Sequence, residues 1–486
     1  MMKKCPSNLR YDLTNDYIFA RDFLSKYPGF LKEFFFLLTR KPSHTMLRSC
    51  RLSGKFTNPI SSLLGRNYAS VAPSPVVVTK SKAGVTVVSI EDNAPASSVA
   101  VVVKAGSRVE SIDNVGVAHF LKNFAFRSTE SKTAFRITRE AEHLGGILSA
   151  NLTRESLIFS GEFLHTDLPH FLEVLSDVVF KTKYEPYEFK DVKKSVNFER
   201  EAAEAIPEVI TLDAAHAVAF RHGLGNSLFA NATTKVTSSE QVKAFSNKVY
   251  TAPNITIVGT SVNHKELVSL TDKLFEKVSH TVPSTPITSK YFGGESRIAA
   301  PGSSHFVIGF EGAAAGTPEY AILQVLRAYL DGETHTRWGD GVTPLAQLSN
   351  KLKDVQISSF NTGYSDAGLF GVHISGTPTS IYATARAVSE LLKHKIYHIS
   401  KEDFQSAIAK AKYYTAAAYE TRASKTELIG GQILHSGKVI PISDAVDEFN
   451  HITIEDVKNM AEKLLKSTPT TVALGDINTL PHADVL

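Results

Sequence analysis

Cysteine is almost missing from this chain. Two of its 486 residues are cysteine, Cys5 and Cys50, and both lie in the leading segment. The rest of the chain can therefore form neither disulfides nor thiolate metal sites. Iron–sulfur ligation and c-type haem attachment, which need clustered cysteines, are excluded with them. Long apolar runs are missing too. The greasiest stretch, Phe34–Leu38, lies beside Lys32 and Glu33 and falls far short of the ~20 residues that cross a bilayer. Nor is there a strong field of one sign. Residues 1–68 hold 12 Lys/Arg against 4 Asp/Glu, so of the chain's 53 and 49 the body keeps 41 basic and 45 acidic side chains. A mildly acidic body has no basic face to displace counterions, and nucleic acid is not an expected partner. With 43% hydrophobic and 21% charged residues, the chain is neither disordered nor collagen-like. Its length suggests about three domain-sized units.

What is present begins with an address. Residues 46–70, MLRSCRLSGKFTNPISSLLGRNYAS, carry Arg48, Arg51, Lys55 and Arg66, frequent serine and no acid. That is the composition of a mitochondrial transit peptide, although a basic tail without a targeting role would share it. Arg66-Asn67-Tyr68 followed by Ala69 is similar to a matrix processing site with Arg three residues before the cut. We take residues 1–68 as presequence and Ala69 as the mature start. Residues 1–45 contain Asp12, Asp16, Asp22 and Glu33, which transit peptides avoid, and read as an upstream extension of 46–68.

The body is written twice. Val85–Ile90 and Ser98–Val103 are valine-rich strands, and Asp113 or Asn114 can cap a helix reaching Phe126. Thr133–Leu144 predicts a second helix, Ile147–Asn151 and Ser156–Phe163 a hairpin, and Asp167–Val179 and Glu185–Ala205 two more helices. The same order returns as strand 305–310, helix Glu319–Leu330, hairpin Ile357–Thr362 with Gly368–Ser375, and helices Thr379–His394 and Lys401–Thr421. Phe159 and Phe370 hold matching hairpin positions, and Phe189 and Phe404 match early in the long helices. Thr281–Gly294, with Pro283, Pro286, Gly293 and Gly294, has the composition of a linker. The expected division is therefore 69–280, a linker at 281–294, and 295–486, each half large enough for its own core.

One motif carries chemistry by its damage. His119-Phe120-Leu121-Lys122-Asn123 stands where an inverted zinc peptidase has H-x-x-E-H. There, two His at i and i+4 hold zinc on one helical face, and the Glu takes a proton from the metal-bound water. Here Lys122 puts an ammonium in place of that base, and Asn123 an amide in place of an imidazole. Glu199, 76 residues beyond Asn123, could supply the distant carboxylate. Even so, His119 and Glu199 make two ligands where catalytic zinc takes three plus water. The expectation is no metal, no cofactor and no catalytic residue. His119 reads as a packed or hydrogen-bonded core histidine, and Glu199 as a solvated or salt-bridged helix residue near Arg200.

With that motif, several further strings bear a resemblance. They are Ile137-Thr138-Arg139, Leu144-Gly145-Gly146, Ala219-Phe220-Arg221, Gly225-Asn226-Ser227-Leu228, Lys235-Val236-Thr237 and the long segment Phe360–Gly371, FNTGYSDAGLFG. In this order, over about residues 75–480, the body resembles the pitrilysin-type metallopeptidase superfamily. Within it, the body is similar to the non-catalytic core-protein branch of respiratory complex III, ubiquinol–cytochrome c reductase. The resemblance implies an α+β fold of two homologous α/β halves, with mixed, largely antiparallel sheets flanked by helices. It also implies a structural and assembly role, peripheral to the inner mitochondrial membrane on the matrix side. The implied partners are a sister core protein 1, cytochrome b, cytochrome c1 and the Rieske iron–sulfur subunit of a dimeric complex. A partner's presequence, extended along a strand edge, is the implied occupant of the inactive cleft.

A second branch stays open, the α-type, presequence-binding subunit of the mitochondrial processing peptidase. That subunit carries a glycine-rich loop, whereas Asp331–Gly341 here holds three glycines with Arg337, Trp338 and several acids. An active metallopeptidase would need stoichiometric zinc and is not expected. His394 and His398, i and i+4 without a carboxylate at motif spacing, read as a solvated helix end. Gly431–Lys438 has the wrong glycine spacing for a phosphate loop, and Val439 stands where Ser or Thr would hold Mg²⁺. The triplets at Asn151, Asn231 and Asn254 match glycosylation sites by chance in a matrix protein.

Overall fold

In the first half, five extended segments gather into a sheet around one late strand. The computed structural model describes residues 76–92, 94–231, 234–281, 288–332, 339, 341–352, 354–394 and 398–485. The presequence with Arg66, Tyr68 and Ala69, residues 282–287 of the linker, the last two residues of the triplet at Asn231, Trp338, and the residues between His394 and His398 lie outside them. The strands are β1 (Val76–Lys80), β2 (Thr86–Ile90), β3 (Ala96–Val103), β4 (Ile147–Leu152), β5 (Leu157–Leu164) and β6 (Ile255–Thr260), ordered β1-β2-β6-β3-β5-β4. Between them run α1 (Val117–Asn123), α2 (Ala134–His143), α3 (Leu168–Phe180), α4 (Pro186–Glu204), α5 (Pro207–Phe220), α6 (Ser239–Val249) and α7 (His264–Leu274). The boundaries follow local chemistry. The Thr133 hydroxyl accepts from Arg136 N at the start of α2, and Ser238 and Gln241 make a reciprocal cap on α6.

The second half repeats this with β7 (Gly294–Ala299), β8 (Ser304–Gly312), β9 (Val355–Gly363), β10 (Gly368–Gly376) and β11 (Thr470–Gly475), ordered β7-β11-β8-β10-β9. Its helices are α8 (Pro318–Leu330), α9 (Pro344–Leu352), α10 (Pro378–His394), α11 (Lys401–Ala418), α12 (Arg422–Ser436), α13 (Ile442–Asp447) and α14 (Ile454–Lys466). Without β1, the two orders are the same. The parallel pair β2/β6 answers the parallel pair β7/β11, and every other pairing is antiparallel. Phe159 sits opposite Ala150 and Phe370 opposite Asn361, which is the same register in both hairpins. Phe159, Phe370, Phe189 and Phe404 are all buried.

Two expectations are corrected here. The first helix of the body is shorter than Asp113–Phe126. Gly116 takes the left-handed conformation (φ 87°) just before Val117, and Phe126 takes it again (φ 60°) beyond Asn123. The cap is not Asp113 or Asn114 but the buried Glu110 carboxylate, which accepts from Gly116 N and Ala118 N, both at 2.8 Å. Strand β1 was not foreseen.

The second correction concerns the cores. Each half does bury its own large cluster, around Phe120, Phe159 and Phe171 in the first and Phe306, Phe370 and Val388 in the second. But each sheet has a second apolar face, and the opposite half covers it. Ala215, Ala219 and Phe220 of α5 pack on Val307, Leu369 and Val472, while Ile429 and Ile433 of α12 pack on Val88, Ile90 and Val258. At about 1.5–3 kcal/mol per fully buried large side chain, neither sheet could leave such a face in water. Val71–Leu486 accordingly forms one compact unit.

Charge closes the same seam. Arg108 binds Glu155 at 2.6 Å and Asp366 at 2.5 Å, and Ser365 Oγ donates to Glu155 at 2.6 Å. Glu155 and Asp366 occupy the turns of the two equivalent hairpins, β4–β5 and β9–β10, so the halves meet tip to tip. Tyr364 Oη lies 2.8 Å from His216 Nε2 across the same junction. The family-like segment Phe360–Gly371 is thus a half-to-half contact. The Gly431–Lys438 stretch lies in and just beyond α12, whose end Gly437 caps at φ 71°, so it makes no phosphate loop.

Candidate functional site

Helix α1 turns Val117, Ala118, Phe120 and Leu121 into the core. His119 is buried as well, while Lys122 and Asn123 are half-buried at its end. Helix α4 runs past them with Phe189, Val192 and Val196 inward, which brings Glu199 onto the same spot. Its carboxylate lies 2.5 Å from His119 Nε2, accepts from Lys122 Nζ at 2.8 and 2.9 Å, and accepts from Asn123 Nδ2 at 3.1 Å. All four residues singled out from the motif therefore converge.

The protons can be placed. Ala230 N donates to His119 Nδ1 at 3.1 Å, so that nitrogen carries no hydrogen and Nε2 is the donor to Glu199. Asn123 Nδ2 also donates to His119 O at 3.1 Å, and Phe229 meets the imidazole edge-on at 5.5 Å. Burial would raise the Glu199 carboxyl, but donation from His119, Lys122 and Asn123, with the charge of Lys122, holds it down at about 2. Glu199 is therefore not a partner of Arg200, which instead reaches Glu201 at 3.7 Å and Glu204 at 3.6 Å.

This donor set does not fit zinc. The ammonium already neutralises the one carboxylate, touching both its oxygens, and a dication at that spot would have to expel it. The remaining groups offer one imidazole and an amide, a poor set for Zn²⁺. Among the described residues no cluster of three or more His, Cys, Asp and Glu side chains is placed to hold a metal ion.

The cluster opens on a cleft of about 470 Å³ lined by Lys122, Asn123, Ala125, Phe126, Arg127, Ala134, Phe135, Thr138 and Ala150. Strand β4, which contributes Ala150, is the terminal strand of its sheet. Sequence reasoning missed Glu110, the buried acid that starts α1. Burial lifts its carboxyl to about 7, even though the two backbone N–H bonds pull the other way. Its only signal was an acid six residues ahead of a helix-starting glycine. No helix among the described residues is long and apolar enough to cross a membrane.

Against this geometry the relatives can be read. The family model described as Insulinase (Peptidase family M16) matches residues 86–232, and that of the Peptidase M16 inactive domain matches 237–411. The chain is 36% identical over 429 residues to the mitochondrial cytochrome b-c1 complex subunit 2 of Neurospora crassa, covering 87% of this chain and 94% of that one. It is 38% identical over 422 residues to the protein of the same name in Cryptococcus neoformans, covering 84% and 94%. The mitochondrial-processing peptidase subunit alpha of Solanum tuberosum is 29% identical over 433 residues, covering 86% and 85%.

Proposed function

The chain belongs to peptidase family M16, and from that premise we propose that it is a non-catalytic core subunit, core protein 2, of respiratory complex III. It is a peptidase-like protein without peptidase chemistry, and it serves an oxidoreductase complex by structure and assembly. The observation that carries the loss of catalysis is the Lys122 ammonium seated on the Glu199 carboxylate, where a peptidase needs a metal and a free base. His119, Lys122, Asn123 and Glu199 are then the remains of a zinc site, converted into a closed polar cluster that holds α1 against α4.

The finer reading follows from the relatives named as complex III subunits. The partners are core protein 1, cytochrome b, cytochrome c1 and the Rieske subunit. The subunit lies on the matrix face of the inner membrane as a peripheral member of the dimeric complex, supporting electron transfer from ubiquinol to cytochrome c. Residues 1–68 are the presequence, cut before Ala69. Residues 69–280 and 295–486 are the two halves, joined by 281–294. Rigid, tip-to-tip closure of the halves suits a subunit whose work is to present large fixed surfaces.

The test is to solubilise inner membranes in mild detergent and follow this chain. Co-migration with cytochrome b supports the reading. Co-migration with soluble presequence-cleaving activity instead would make it the α-type processing-peptidase subunit.

A further inference from the structure

We infer that the seam between the two halves is a proton-sensitive latch: four histidines close it only while they are neutral, and acid opens it with both cores still folded. The inference concerns the halves alone and does not depend on the complex III reading. Each of these imidazoles sits where one half meets the other. His216 of α5 meets Tyr364 of the second half. His435 of α12 meets the first half at Ser156 Oγ, 3.2 Å away, and at Glu155, 3.9 Å away. His305 of β8 and His373 of β10 share the sheet face on which Val307 packs against α5.

Hydrogen bonds and neighbouring charge oppose a second proton on each of them. His216 Nδ1 donates to Leu212 O at 2.7 Å, so its Nε2 accepts from the Tyr364 hydroxyl at 2.8 Å. A proton on Nε2 would turn that acceptor into a donor facing a donor. Arg154 and Asp213 also act on His216, and they are already paired with each other. His305 Nδ1 lies 3.1 Å from His373 Nε2, too close for two imidazolium charges. Glu208, at the start of α5, acts on His305 against burial but does not outweigh it. His435 is faced by Glu155, Asp366, Lys104 and Arg108, and Arg108 holds both acids. A proton there leaves the closed seam with an uncompensated charge. Burial accordingly pushes His216 down to about 3 and His373 down to about 4, and it lowers His305 and His435 too. Solvated in an open seam, each imidazole returns toward its ordinary 6.5, so the open form binds more protons. Between the two values, each such histidine raises the open-to-closed ratio by up to about tenfold per pH unit of acidification. Packing fixes what opens. Helices α5 and α12 leave the opposite sheets, and helices of 14 and 15 residues are marginal alone in water. The clusters around Phe120 and Phe370 each lie within one half and stay closed.

The test is hydrogen exchange of the full chain, read by mass spectrometry of its peptides from about pH 7 to about pH 4. Amides of α5 and α12 should lose protection together, while those of β3, β5, β8 and β10 keep theirs. Corrected for intrinsic exchange rates, the opening constant should rise at least about 100-fold between about pH 5.5 and 4.5, the share of His216 and His373 alone. His216→Gln and His373→Gln should each remove about tenfold from that rise, whatever they do to the constant at pH 7. A merely structural role would move the constant and leave its pH dependence intact. The inference is overturned if the wild-type rise stays under about tenfold, or if the core strands lose protection along with the two helices. It is equally overturned if both variants keep the full rise. Near-ultraviolet circular dichroism at pH 7 checks that each variant is folded. Should one fail to fold, the other variant and the wild-type profile decide.

Discussion

Replacing Glu199 by glutamine keeps the shape of the side chain and removes its charge. The carboxyl stands at about 2 in place of its ordinary 4.5. At 1.36 kcal/mol per unit, that sets a ceiling of about 3 kcal/mol on what the charged form contributes. The side chain is 31% exposed, so water and salt screen part of this, and about 2 kcal/mol is the expected loss at pH 7. With an unfolding entropy of roughly 2.1 cal/mol/K per residue for a unit of about 400 residues, Glu199→Gln should lower Tm by about 2 °C. The pH dependence has a definite sign. A depressed carboxyl stabilises above its unfolded value and ceases to do so as pH falls through its folded one. The gap between wild type and variant should therefore be constant from pH 8 to about 4.5 and narrow as pH falls toward 2. Differential scanning calorimetry across that range is the assay. An unchanged Tm at pH 7, or a gap that widens in acid, would refute the claim that Lys122, His119 and Asn123 hold a charged Glu199.

Four further outcomes are expected. Lys122→Glu combined with Asn123→His rebuilds two imidazoles and a base around Glu199, and should bind about one zinc per chain by plasma emission spectrometry, where the parent binds none. Neighbouring glycines in α12 should respond with opposite signs. A Cβ at Gly430 would meet Val102 at 2.5 Å, and one at Gly431 meets nothing within 4 Å. Gly430→Ala should therefore cost about 1–3 kcal/mol by overpacking, while Gly431→Ala gains up to about 1 kcal/mol in helix propensity, both read by urea unfolding. Arg108→Met strands Glu155 and Asp366, each partly buried, and should destabilise by about 3 kcal/mol while opening the seam to limited proteolysis. The Glu110 carboxyl is raised by burial to about 7, so its stabilisation is complete below about 4.5 and falls as pH rises to 7. Glu110→Gln should accordingly be less damaging at pH 8 than at pH 5, by up to about 3 kcal/mol.

Much of the architecture was legible because it depends on local alternation. The hairpin β9–β10 and helices α2, α4 and α10 stand within one or two residues of their readings, since strand and helix periods and the cap at Thr133 act over a few neighbouring residues. Helix α1 was overdrawn because its true start depends on Glu110 reaching two backbone N–H groups, a contact that no period encodes. The exchange of α5 and α12 between halves was invisible for a related reason. A helix covering the other half's sheet has the same apolar stripe as one covering its own, and only contacts hundreds of residues apart distinguish them.

The site divides along the same line. Residue types alone ruled out the peptidase reaction, because an ammonium and an amide fail the chemistry wherever the chain places them. What became of the remnants was a question of geometry: Glu199 is a salt-bridged helix residue near Arg200, as expected, but the partner it pairs with is Lys122. Glu199 sits in a half-buried pocket, where a carboxylate needs a cation whether or not chemistry is done there. Lys122 fills that need. Retention of His119 and Glu199 therefore requires no residual metal: removing Glu199 would take the acceptor from Lys122 Nζ and His119 Nε2, and removing His119 would take the acceptor from Ala230 N.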